Sequence, residues 1–375
     1  MVTKKLLFVT ATRADFSKLK SLIRIANKKK EFSIYVVITG MHVINKYGST
    51  YKEVQKFFKF KSKIFKFKNQ SIGDRLEIIM SKTIKKFSKI VKKIKPDLII
   101  IHGDRVEALA CASVGSLNHI LTAHIEGGEV SGTIDDTMRH TITKLSHAHF
   151  VGSNAAKKRV IKMGEIKKNI FNIGSPDIDF IVNEKMSNIS FIKKRYGIFF
   201  KRFAILLWHP VTSKIYTLKE ETKNLLNIIK NFKMNFVVIF PNNDPGSSII
   251  INEYKKLKKN NFKILKNLRF EYFLKLLKSS NYIIGNSSSA IYEAPMLHTP
   301  GINIGDRQYN RTKTKAVINF EIDNLNENKI NKFVDNYRPI KKKYFGYGNS
   351  DKKFIKILMK KNFWEIPKQK FFSDI

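Results

Sequence analysis

Cysteine is almost absent from this sequence. Cys111 is the single cysteine in 375 residues, so the chain cannot form an intrachain disulfide, and this favours a reducing compartment. Cys111 lies in the small-residue segment ALACASVG, where we interpret it as a buried packing residue and not as a nucleophile. We therefore expect a cytoplasmic protein.

Long hydrophobic runs are also missing. Lysine, glycine or polar residues interrupt the apolar stretches, and none approaches the ~20 residues that a membrane-spanning helix needs. The first apolar run, Leu6 to Val9, is shorter than the ~7–15 residues of a signal-peptide core, and Arg13 and Asp15 follow at once. We interpret it as a buried first strand and expect no association with a membrane.

Acidic residues are scarce: 71 Lys and Arg stand against 30 Asp and Glu, which gives a formal net charge of +41. Such a charge suggests a polyanion as a partner. The lysines, however, are spread along the chain and accompany abundant Ile, Asn and Phe, as codon bias in an AT-rich genome would produce. We therefore expect a solvated basic surface without a specific nucleic-acid site. Polyanion binding remains an alternative function.

One segment combines aromatic and basic residues. Phe and Lys alternate in FFKFKSKIFKFK, residues 57–68, which is the periodicity of a strand with one solvent-exposed face. Interleaved aromatics and lysines could also bind single-stranded nucleic acid. We prefer the first interpretation, an edge strand or its flanking loop.

Three familiar motifs of nucleotide and hydrolase sites are absent. No G-x-G-x-x-G follows a strand, no Walker A motif occurs, and no G-x-S-x-G elbow occurs. His124, Glu126, Asp136 and His140 have side chains that can bind metals, but their spacing fits no strong signature. We predict neither a metal nor a cofactor.

The sequence does contain a regular alternation of short apolar runs with amphipathic helical patterns. Continuous runs of Val, Ile, Leu and Phe are typical of strands buried on both faces of a parallel sheet. Their alternation with helices indicates parallel sheets. The series begins at KKLLFVT, pauses near Pro176 and restarts at FAILL. We predict an α/β protein with two Rossmann-type, doubly wound domains and an interdomain cleft.

Polar clusters follow the predicted strands, at the edge where open parallel sheets bind their ligands. In the first series they are Arg13, Asp104 with Arg105, and HIEGGEVSGTIDDTMRH at 124–140. In the second series they are His209, Asn242 to Asp244, Ser287 to Ser289, and Arg307. Residues 101–140 hold six acids, two arginines and no lysine. Acids that persist in so basic a chain indicate a specific role.

Each cluster also has a purely structural interpretation. Arg13 could pair with Asp15, and Asp104 could cap the following helix. Asp135 and Asp136 could cap the helix after them, with Asp135 paired to Arg139. The three serines at 287–289 could cap a helix in the same way. The shared position after strands nevertheless favours a functional site.

The chemistry of the two halves differs. Serine hydroxyls and free N–H groups at a helix start bind phosphate, and His209 and Arg307 could add charge-assisted hydrogen bonds. Glu293 could accept bonds from a ribose hydroxyl pair. Carboxylates of the first half suit proton transfer. The pattern indicates a nucleotide held by the second domain, with chemistry by acids of the first.

Several motifs resemble one known family. They are TRADFSKL (12–19), HGDRVEALA (102–110), HIEGGEVSGTIDDTMRH (124–140), HPVT (209–212), FPNNDPGS (240–247) and GNSSSAIYEA (285–294). In order and spacing they resemble the hydrolysing UDP-N-acetylglucosamine 2-epimerases, in particular the bacterial branch of sialic and legionaminic acid synthesis. The resemblance extends from the first strand to Gln308. The family pattern differs at Pro295, which we expect to shorten or kink the serine helix, and at Asn310.

The resemblance implies a GT-B-like pair of domains. We expect residues 1–172, joined by a C-terminal helix at about 360–375, to form the domain with the catalytic acids, and 173–359 to bind UDP. The implied reaction converts UDP-GlcNAc and water into UDP and N-acetylmannosamine, without a cofactor. The C2 proton and UDP are lost first, and water then adds to the resulting 2-acetamidoglucal. A homo-oligomer, dimer or tetramer, is also implied.

Other functions remain open at this point. UDP-2,4-diacetamido-2,4,6-trideoxyglucose is an alternative substrate for the same hydrolysing reaction. A GT-B glycosyltransferase would transfer the sugar to an acceptor without exchanging the C2 hydrogen.

The resemblance places catalytic acids at Asp104, Glu126 and Asp135, and we add Asp136 and His209 as catalytic candidates. The predicted substrate or UDP contacts are Arg13, Arg105, His124, Arg139, Asn242, Asp244, Ser287, Ser288, Ser289, Glu293 and Arg307. Because clustered carboxylates cannot all ionise cheaply, we expect a raised pKa in at least one of the three acids. We expect Asp104 and Glu126 to transfer protons, and Asp135 to orient or protonate in the second step.

Overall fold

Two compact units make up the protein. The structure, a computed structural model, describes residues 3–58, 63–71, 73–183, 187–257, 260–308, 311, 314–339 and 345–371. By contacts, the first unit comprises Met1–Glu129, Asp135–Asn183 and Tyr344–Ile375, and the second comprises Val130–Ile134 and Glu184–Lys343. From the sequence we expected domain limits at residue 172 and at about residue 360. Those limits remain predictions, and the division by contacts does not test them.

A seven-stranded parallel sheet forms the centre of the first unit. Its strands are β1 (Lys4–Thr10), β2 (Phe32–Ile38), β3 (Ile64–Lys66), β4 (Leu98–His102), β5 (Leu121–Ile125), β6 (Ala148–Val151) and β7 (Ile170–Asn172). They are ordered β3-β2-β1-β4-β5-β6-β7. Apolar side chains on both faces of β1, such as Leu7 and Phe8, are fully buried. This explains why the strands appear in the sequence as continuous apolar runs.

The second unit is built on a six-stranded parallel sheet. Its strands are β8 (Ala204–Leu207), β9 (Phe236–Ile239), β10 (Phe262–Leu265), β11 (Ile283–Gly285), β12 (Gly301–Ile304) and β13 (Val317–Phe320). Their order is β10-β9-β8-β11-β12-β13. The prediction of two doubly wound parallel sheets is confirmed.

Helices connect the strands and cover the sheets. Within the described residues they are α1 (Arg13–Asn27), α2 (Tyr51–Phe57), α3 (Leu76–Ile94), α4 (Val106–Leu117), α5 (Ile134–Leu145), α6 (Asn154–Lys162), α7 (Pro176–Asn183), α8 (Ile189–Tyr196), α9 (Leu218–Lys230), α10 (Ser247–Tyr254), α11 (Phe270–Ser279), α12 (Glu293–Met296), α13 (Glu327–Asp335) and α14 (Ser350–Leu358). In that part of the chain no helix is long and apolar enough to cross a membrane. Cys111 is buried in α4 as predicted, and burial raises the pKa of its thiol.

Each sheet reverses its strand order at one point. In the first sheet β1 lies between β2 and β4, and in the second β8 lies between β9 and β11. Doubly wound sheets bind ligands beyond the carboxyl ends of the strands at such a point. Arg13 and Asp104 follow β1 and β4, and His209 and Asn286 follow β8 and β11. The topology thus places predicted site residues at both reversal points.

The predicted serine helix is wrong in its extent. Ser288–Ala290 form a short 3-10 turn, and α12 begins only at Glu293. A helix that started at the serines would place Pro295 in its interior, where proline removes a backbone hydrogen bond and clashes with the preceding turn. In α12 the proline occupies the first turn, where its missing N–H has no helical partner to lose.

The aromatic and basic segment 57–68 contains an edge strand. β3 pairs only at the end of the first sheet, beside β2, as the Phe and Lys alternation predicts. Residues 59–62 of this segment lie outside the described residues, as does Asn310.

The last helix also differs from its prediction. It is α14, Ser350–Leu358, and among the described residues from 360 onward the one helical turn is Lys361–Phe363. Phe354 and Leu358 of α14 are fully buried in the core of the first unit, where Phe354 packs against Phe8 and Phe150. Helix formation therefore follows the buried apolar stripe of 350–358, while Pro367 interrupts the later stretch.

A carboxylate from another helix caps the start of α14. Asp179 of α7, which is buried, accepts hydrogen bonds from the N–H groups of Ser350 (2.8 Å) and Asp351 (2.9 Å). These two groups are among the first N–H groups of a helix, which lack partners within it. Asp179 thus secures the C-terminal segment to the first unit.

We expect the substitution Asp179→Ala to destabilise the first unit by about 1–2 kcal/mol, because it leaves two N–H groups at a helix start without an acceptor. Urea unfolding followed by circular dichroism measures this change. Glu365→Ala, at an exposed side chain, is the control and should unfold as the wild type does. Equal unfolding midpoints for the two variants would contradict the role of Asp179.

Candidate active site

The carboxyl ends of two neighbouring strands bring two candidate acids to one edge of the first sheet. His102 at the end of β4 pairs in register with Ile125 at the end of β5, and the N–H of Gly103 donates to the carbonyl of Ile125 (3.0 Å). Asp104 and Glu126 follow these pairs directly. The structure therefore places both residues at the same sheet edge, as the sequence predicts.

Arg139 joins the acids of this edge into one network. Its guanidinium donates to the carboxylates of Asp104 and Asp136, the latter at 2.8 Å, and to the carbonyl of Glu129 (3.2 Å). Its side chain is only 3% exposed. We predicted Arg139 as a substrate contact, but the structure makes it a buried counter-charge. It positions Asp104 relative to α5, whose first turn carries Asp135 and Asp136.

Three polar side chains contact the Glu126 carboxylate, and a fourth contacts one of those three. One oxygen accepts from Lys18 Nζ (2.7 Å) and His102 Nε2 (3.0 Å), and the other accepts from Ser175 Oγ (2.5 Å). Asp177 contacts Lys18 on its other side, at 3.0 Å. Both Glu126 oxygens are therefore held in fixed positions.

The backbone of Glu126 is in an unusual conformation. Its φ of 63° lies in the left-handed region, which costs a non-glycine residue about 1–2 kcal/mol. Its N–H donates to the carbonyl of Phe150 at 2.8 Å. Strain of this kind persists where surrounding contacts fix a residue, and such residues cluster at functional sites.

Glu126 is not the acid in which we find the raised pKa expected for at least one of the three. Burial raises the pKa of this carboxyl, but the Lys18 ammonium and the His102 ring outweigh burial and hold it well below its usual range. Glu126 is therefore an anion at neutral pH. Among the three predicted acids, it is not the one that stays protonated.

Sequence reasoning missed Lys18, His102, Ser175 and Asp177. A signal was present for each. Lys18 and His102 stand inside the motifs TRADFSKL and HGDRVEALA, and Ser175 and Asp177 follow strand β7 just as the other clusters follow their strands. What the sequence does not give is that these separate segments converge on one carboxylate.

Arg13 and Asp15 do not form the pair that their spacing allows. Asp15 is buried in a capping box, in which it accepts the N–H of Thr12 (3.0 Å) while Thr12 Oγ1 accepts the N–H of Asp15 (3.1 Å). Arg13 instead contacts Glu53 of α2 at 3.0 Å. The capping box explains why α1 begins at this point.

Two further predicted contacts have internal partners. His124 is fully buried, its Nε2 donates to the Gly103 carbonyl (2.7 Å), and its Nδ1 lies 3.1 Å from Thr143 Oγ1. Burial lowers the pKa of His124 to about 3. Our prediction of a substrate contact at His124 is therefore unsupported, because both of its ring nitrogens contact groups of the protein itself. Arg105 lies beside the buried Glu107, at 3.4 Å.

In the second unit, Asn286 links the two strands at the reversal point. Its side-chain amide accepts from the N–H of His209 (2.7 Å) and donates to the carbonyl of the same residue (2.8 Å). The Asn286 carbonyl accepts from Arg307 Nη1 (3.2 Å) and Gln308 Nε2 (2.7 Å). His209 and Arg307, which are far apart in sequence, are brought together by this one residue.

His209 is a neutral imidazole with a defined tautomer. Burial lowers its pKa to about 3, the charge of Arg307 lowers it as well, and Asp244 acts in the opposite direction. The N–H of Asn242 donates to His209 Nδ1 (3.3 Å), so the ring proton is on Nε2. We expected charge-assisted hydrogen bonds from His209; the structure provides an uncharged N–H donor instead.

The remaining predicted residues lie near the carboxyl ends of the second sheet. Ser287 accepts the N–H of Ser289 (3.3 Å) and so caps the short turn that contains Ser288. Glu293 is buried at the start of α12. Among the residues that the structure describes, no group of three or more His, Cys, Asp or Glu side chains is placed to hold a metal ion.

We expect Lys18→Met to raise the pKa of Glu126, because the buried carboxylate loses its ammonium neighbour. Carbon-13 NMR of glutamate-labelled protein measures the titration, and the Glu126→Gln variant assigns the signal. Lys28→Met, at the exposed end of the same helix, is the control and should leave the titration unchanged. A Glu126 pKa that stays equally low in Lys18→Met would show that Lys18 does not set its charge.

Known proteins resemble this chain along most of its length. The model of a family described as UDP-N-acetylglucosamine 2-epimerase matches residues 24–359. A Neisseria meningitidis protein named UDP-N-acetylglucosamine 2-epimerase is 39% identical over 323 residues, which cover 86% of this chain and 85% of the relative. A Campylobacter jejuni protein named GDP/UDP-N,N'-diacetylbacillosamine 2-epimerase (hydrolyzing) is 36% identical over 333 residues, 87% of each chain.

A solved structure shares the fold. The crystal structure of UDP-GlcNAc 2-epimerase from Neisseria meningitidis bound to UDP-GlcNAc superposes with a TM-score of 0.78 at 18% identity, covering 95% of this chain and 99% of that one. The predicted GT-B-like fold class is confirmed by this likeness. Together with the family match over residues 24–359, it leads to one conclusion: the chain belongs to the UDP-N-acetylglucosamine 2-epimerase family.

Proposed function

We propose that this protein is a hydrolysing 2-epimerase that converts UDP-GlcNAc and water into UDP and N-acetylmannosamine. One observation carries the proposal. Asp104 and Glu126 follow the adjacent strands β4 and β5, whose carboxyl ends are in register. Lys18 and His102 keep Glu126 ionised at that position. A fixed and ionised carboxylate can accept a proton, and a second acid at the same edge can return one.

The proposed reaction has two stages. In the first, a carboxylate takes the C2 proton of the sugar while the bond between C1 and the diphosphate oxygen breaks, which yields 2-acetamidoglucal and UDP. In the second, water adds across the double bond: its hydroxyl goes to C1, and a proton reaches C2 from the opposite face. The sum is loss of UDP, gain of one water and inversion at C2.

We assign the proton transfers at C2 to Asp104 and Glu126, and orientation or protonation in the second stage to Asp135. Because a sugar C2–H is a poor acid, the base must be placed accurately. The three contacts to the Glu126 oxygens and the Arg139 contact to Asp104 support such placement. Asp136 shares Arg139 with Asp104, so we assign it a supporting role.

We assign UDP binding to the second unit. His209 offers a neutral Nε2–H, Arg307 offers a positive charge, and Asn286 holds the two together. Hydrogen-bond donors fixed in advance stabilise the negative charge of a departing diphosphate. The other proposed contacts in this unit are Asn242, Asp244, Ser287, Ser288, Ser289 and Glu293.

A second substrate is favoured by one observation. The Campylobacter jejuni relative, at 36% identity, is named for N,N'-diacetylbacillosamine and for hydrolysis, whereas the Neisseria meningitidis relative, at 39%, is named for UDP-GlcNAc. UDP-2,4-diacetamido-2,4,6-trideoxyglucose is therefore the second candidate. Either product is an N-acylated sugar of the kind that nonulosonic acid synthesis consumes, and we propose that pathway for this protein.

Incubation with each sugar nucleotide in D2O tests the reaction. We expect free UDP and a 2-epimeric sugar with deuterium at C2, because a carboxylate takes the C2 proton and the proton later delivered to C2 comes from groups that exchange with solvent. NMR of the products measures both, and a parallel incubation with EDTA should give the same rate. Free UDP with hydrogen retained at C2 would indicate a glycosyltransferase or simple hydrolase and would contradict the elimination step.

We expect Asp104→Asn and Glu126→Gln each to lower kcat by about 10²–10⁴-fold, because each removes one group that transfers a proton. UDP binding, measured by calorimetry, should remain within about twofold, since the proposed UDP contacts are in the second unit. Glu365→Gln, an exposed exchange of the same type, should keep full activity. Near-normal turnover in either site variant would remove that residue from the catalytic assignment.

A further inference from the structure

A second group of buried titratable side chains lies in the first unit, outside the site described above. Glu165 is at its centre. One Glu165 oxygen accepts from His149 Nε2 (2.9 Å) and from Lys370 Nζ (2.7 Å), and the other lies 3.0 Å from Lys144 Nζ. Lys370 belongs to the C-terminal segment, which the proposed reaction does not use.

Lys370 also caps the carboxyl end of α5. Its ammonium donates to the carbonyls of Lys144 (2.8 Å) and Ser146 (2.6 Å), with the carbonyl of Thr143 at 3.4 Å. The last carbonyls of a helix have no partner within it, and a positive charge there is favoured by the helix dipole. One side chain from the end of the chain thus satisfies the end of α5.

A separate contact secures the same segment through the backbone. The carbonyl of Lys368 accepts from His147 Nε2 (2.9 Å), and His147 Nδ1 accepts from the N–H of Thr122 in β5 (3.1 Å). The side chain of Lys368 is exposed. Residues 368–370 are therefore held against β5 and the end of α5 by two independent contacts.

Hydrogen bonds continue from this cap to the candidate acid Asp104. Thr143 Oγ1 lies 3.1 Å from both the carbonyl of Arg139 and Nδ1 of His124, and its single proton can serve either acceptor. His124 Nε2 donates to the carbonyl of Gly103. Gly103 directly precedes Asp104, and Arg139 contacts the Asp104 carboxylate. Both the backbone and the side chain of Asp104 are therefore held by partners that rest on α5.

We propose that Lys370 is a positioning residue for this reaction: it fixes the carboxyl end of α5, and through that helix it holds Arg139 and Asp104 in place. The inference rests on the proposed function for its effect on turnover. A contact that only stabilised the fold would change the unfolding midpoint and leave kcat unchanged at temperatures where the protein is folded. The two roles can therefore be separated.

The test compares Lys370→Met with Lys368→Met, a matched loss of one lysine two residues away that keeps the backbone contact to His147. For Lys370→Met we expect kcat of UDP release to fall about tenfold, because small misplacement of a catalytic group lowers its rate strongly. The dissociation constant for UDP should stay within about twofold, and Lys370→Arg should recover part of the loss. Lys368→Met should match the wild type. Equal kcat values in Lys370→Met and Lys368→Met, with both folded by circular dichroism, would overturn the inference.

Hydrogen exchange gives a second readout that does not depend on turnover. In Lys370→Met, we expect amides of 134–139 to exchange about fivefold faster than in Lys368→Met, because the proposed route carries the loss of support at the carboxyl end of α5 along the helix to Arg139. Unchanged exchange in 134–139 would overturn the inference even if the protein were active. Failure of the wild type to release UDP, with faster exchange in Lys370→Met, would contradict the proposed function and leave the positioning role of Lys370 supported.

A double-mutant cycle examines the route through α5. Thr143→Val removes the hydroxyl that lies between the carbonyl of Arg139 and His124, with little change in side-chain volume. If Lys370 acts along this route, the combined variant Lys370→Met/Thr143→Val should exchange at 134–139 no faster than the worse single variant. Multiplication of the two single effects would overturn the route.

Discussion

The contact between Lys18 and Glu126 is the interaction on which the first site depends. A carboxylate that is buried without a cation would take up a proton or leave the interior. Lys18 prevents both, and Asp177 balances the charge of Lys18 in turn. Lys18 reaches this position because the capping box of Thr12 and Asp15 fixes where α1 begins. A local rule of helix formation thus determines the charge state of a residue more than a hundred positions further along the chain.

Much of this arrangement can be predicted from the sequence, for a physical reason. Strands buried on both faces must be apolar throughout, so they stand out, and the residues after them must lie at the ligand-binding edge of the sheet. This rule predicted Asp104, Glu126, His209 and Arg307 as site residues, and the structure places each of them just after its strand. It succeeds because it needs only chain order and strand direction, without any knowledge of which side chains touch.

The sequence did not predict which side chains contact each other or how deeply each one is buried. Arg139 could be seen one turn after Asp135, yet its contact with Asp104 depends on how β4 and α5 pack. From the sequence, His209 could carry a positive charge and donate a charge-assisted hydrogen bond, but burial leaves its imidazole neutral. The family resemblance implied a helix at about 360–375, whereas α14 ends at Leu358, the last residue of its buried apolar stripe. The first two differences arise from contacts between segments that are distant in sequence, and Pro367 adds a local cause to the third.

The left-handed backbone of Glu126 restricts which amino acid can occupy that position. Aspartate tolerates this conformation better than glutamate does, and it carries the same charge. Its side chain is shorter by one methylene group, however, so its carboxylate would stop short of Lys18, His102 and Ser175. Glycine would relieve the backbone entirely and bring no carboxylate. Glutamate therefore fits this position because its side chain is long enough to reach its partners, although its backbone does not favour the left-handed conformation. The strained backbone of Glu126 is a consequence of that requirement.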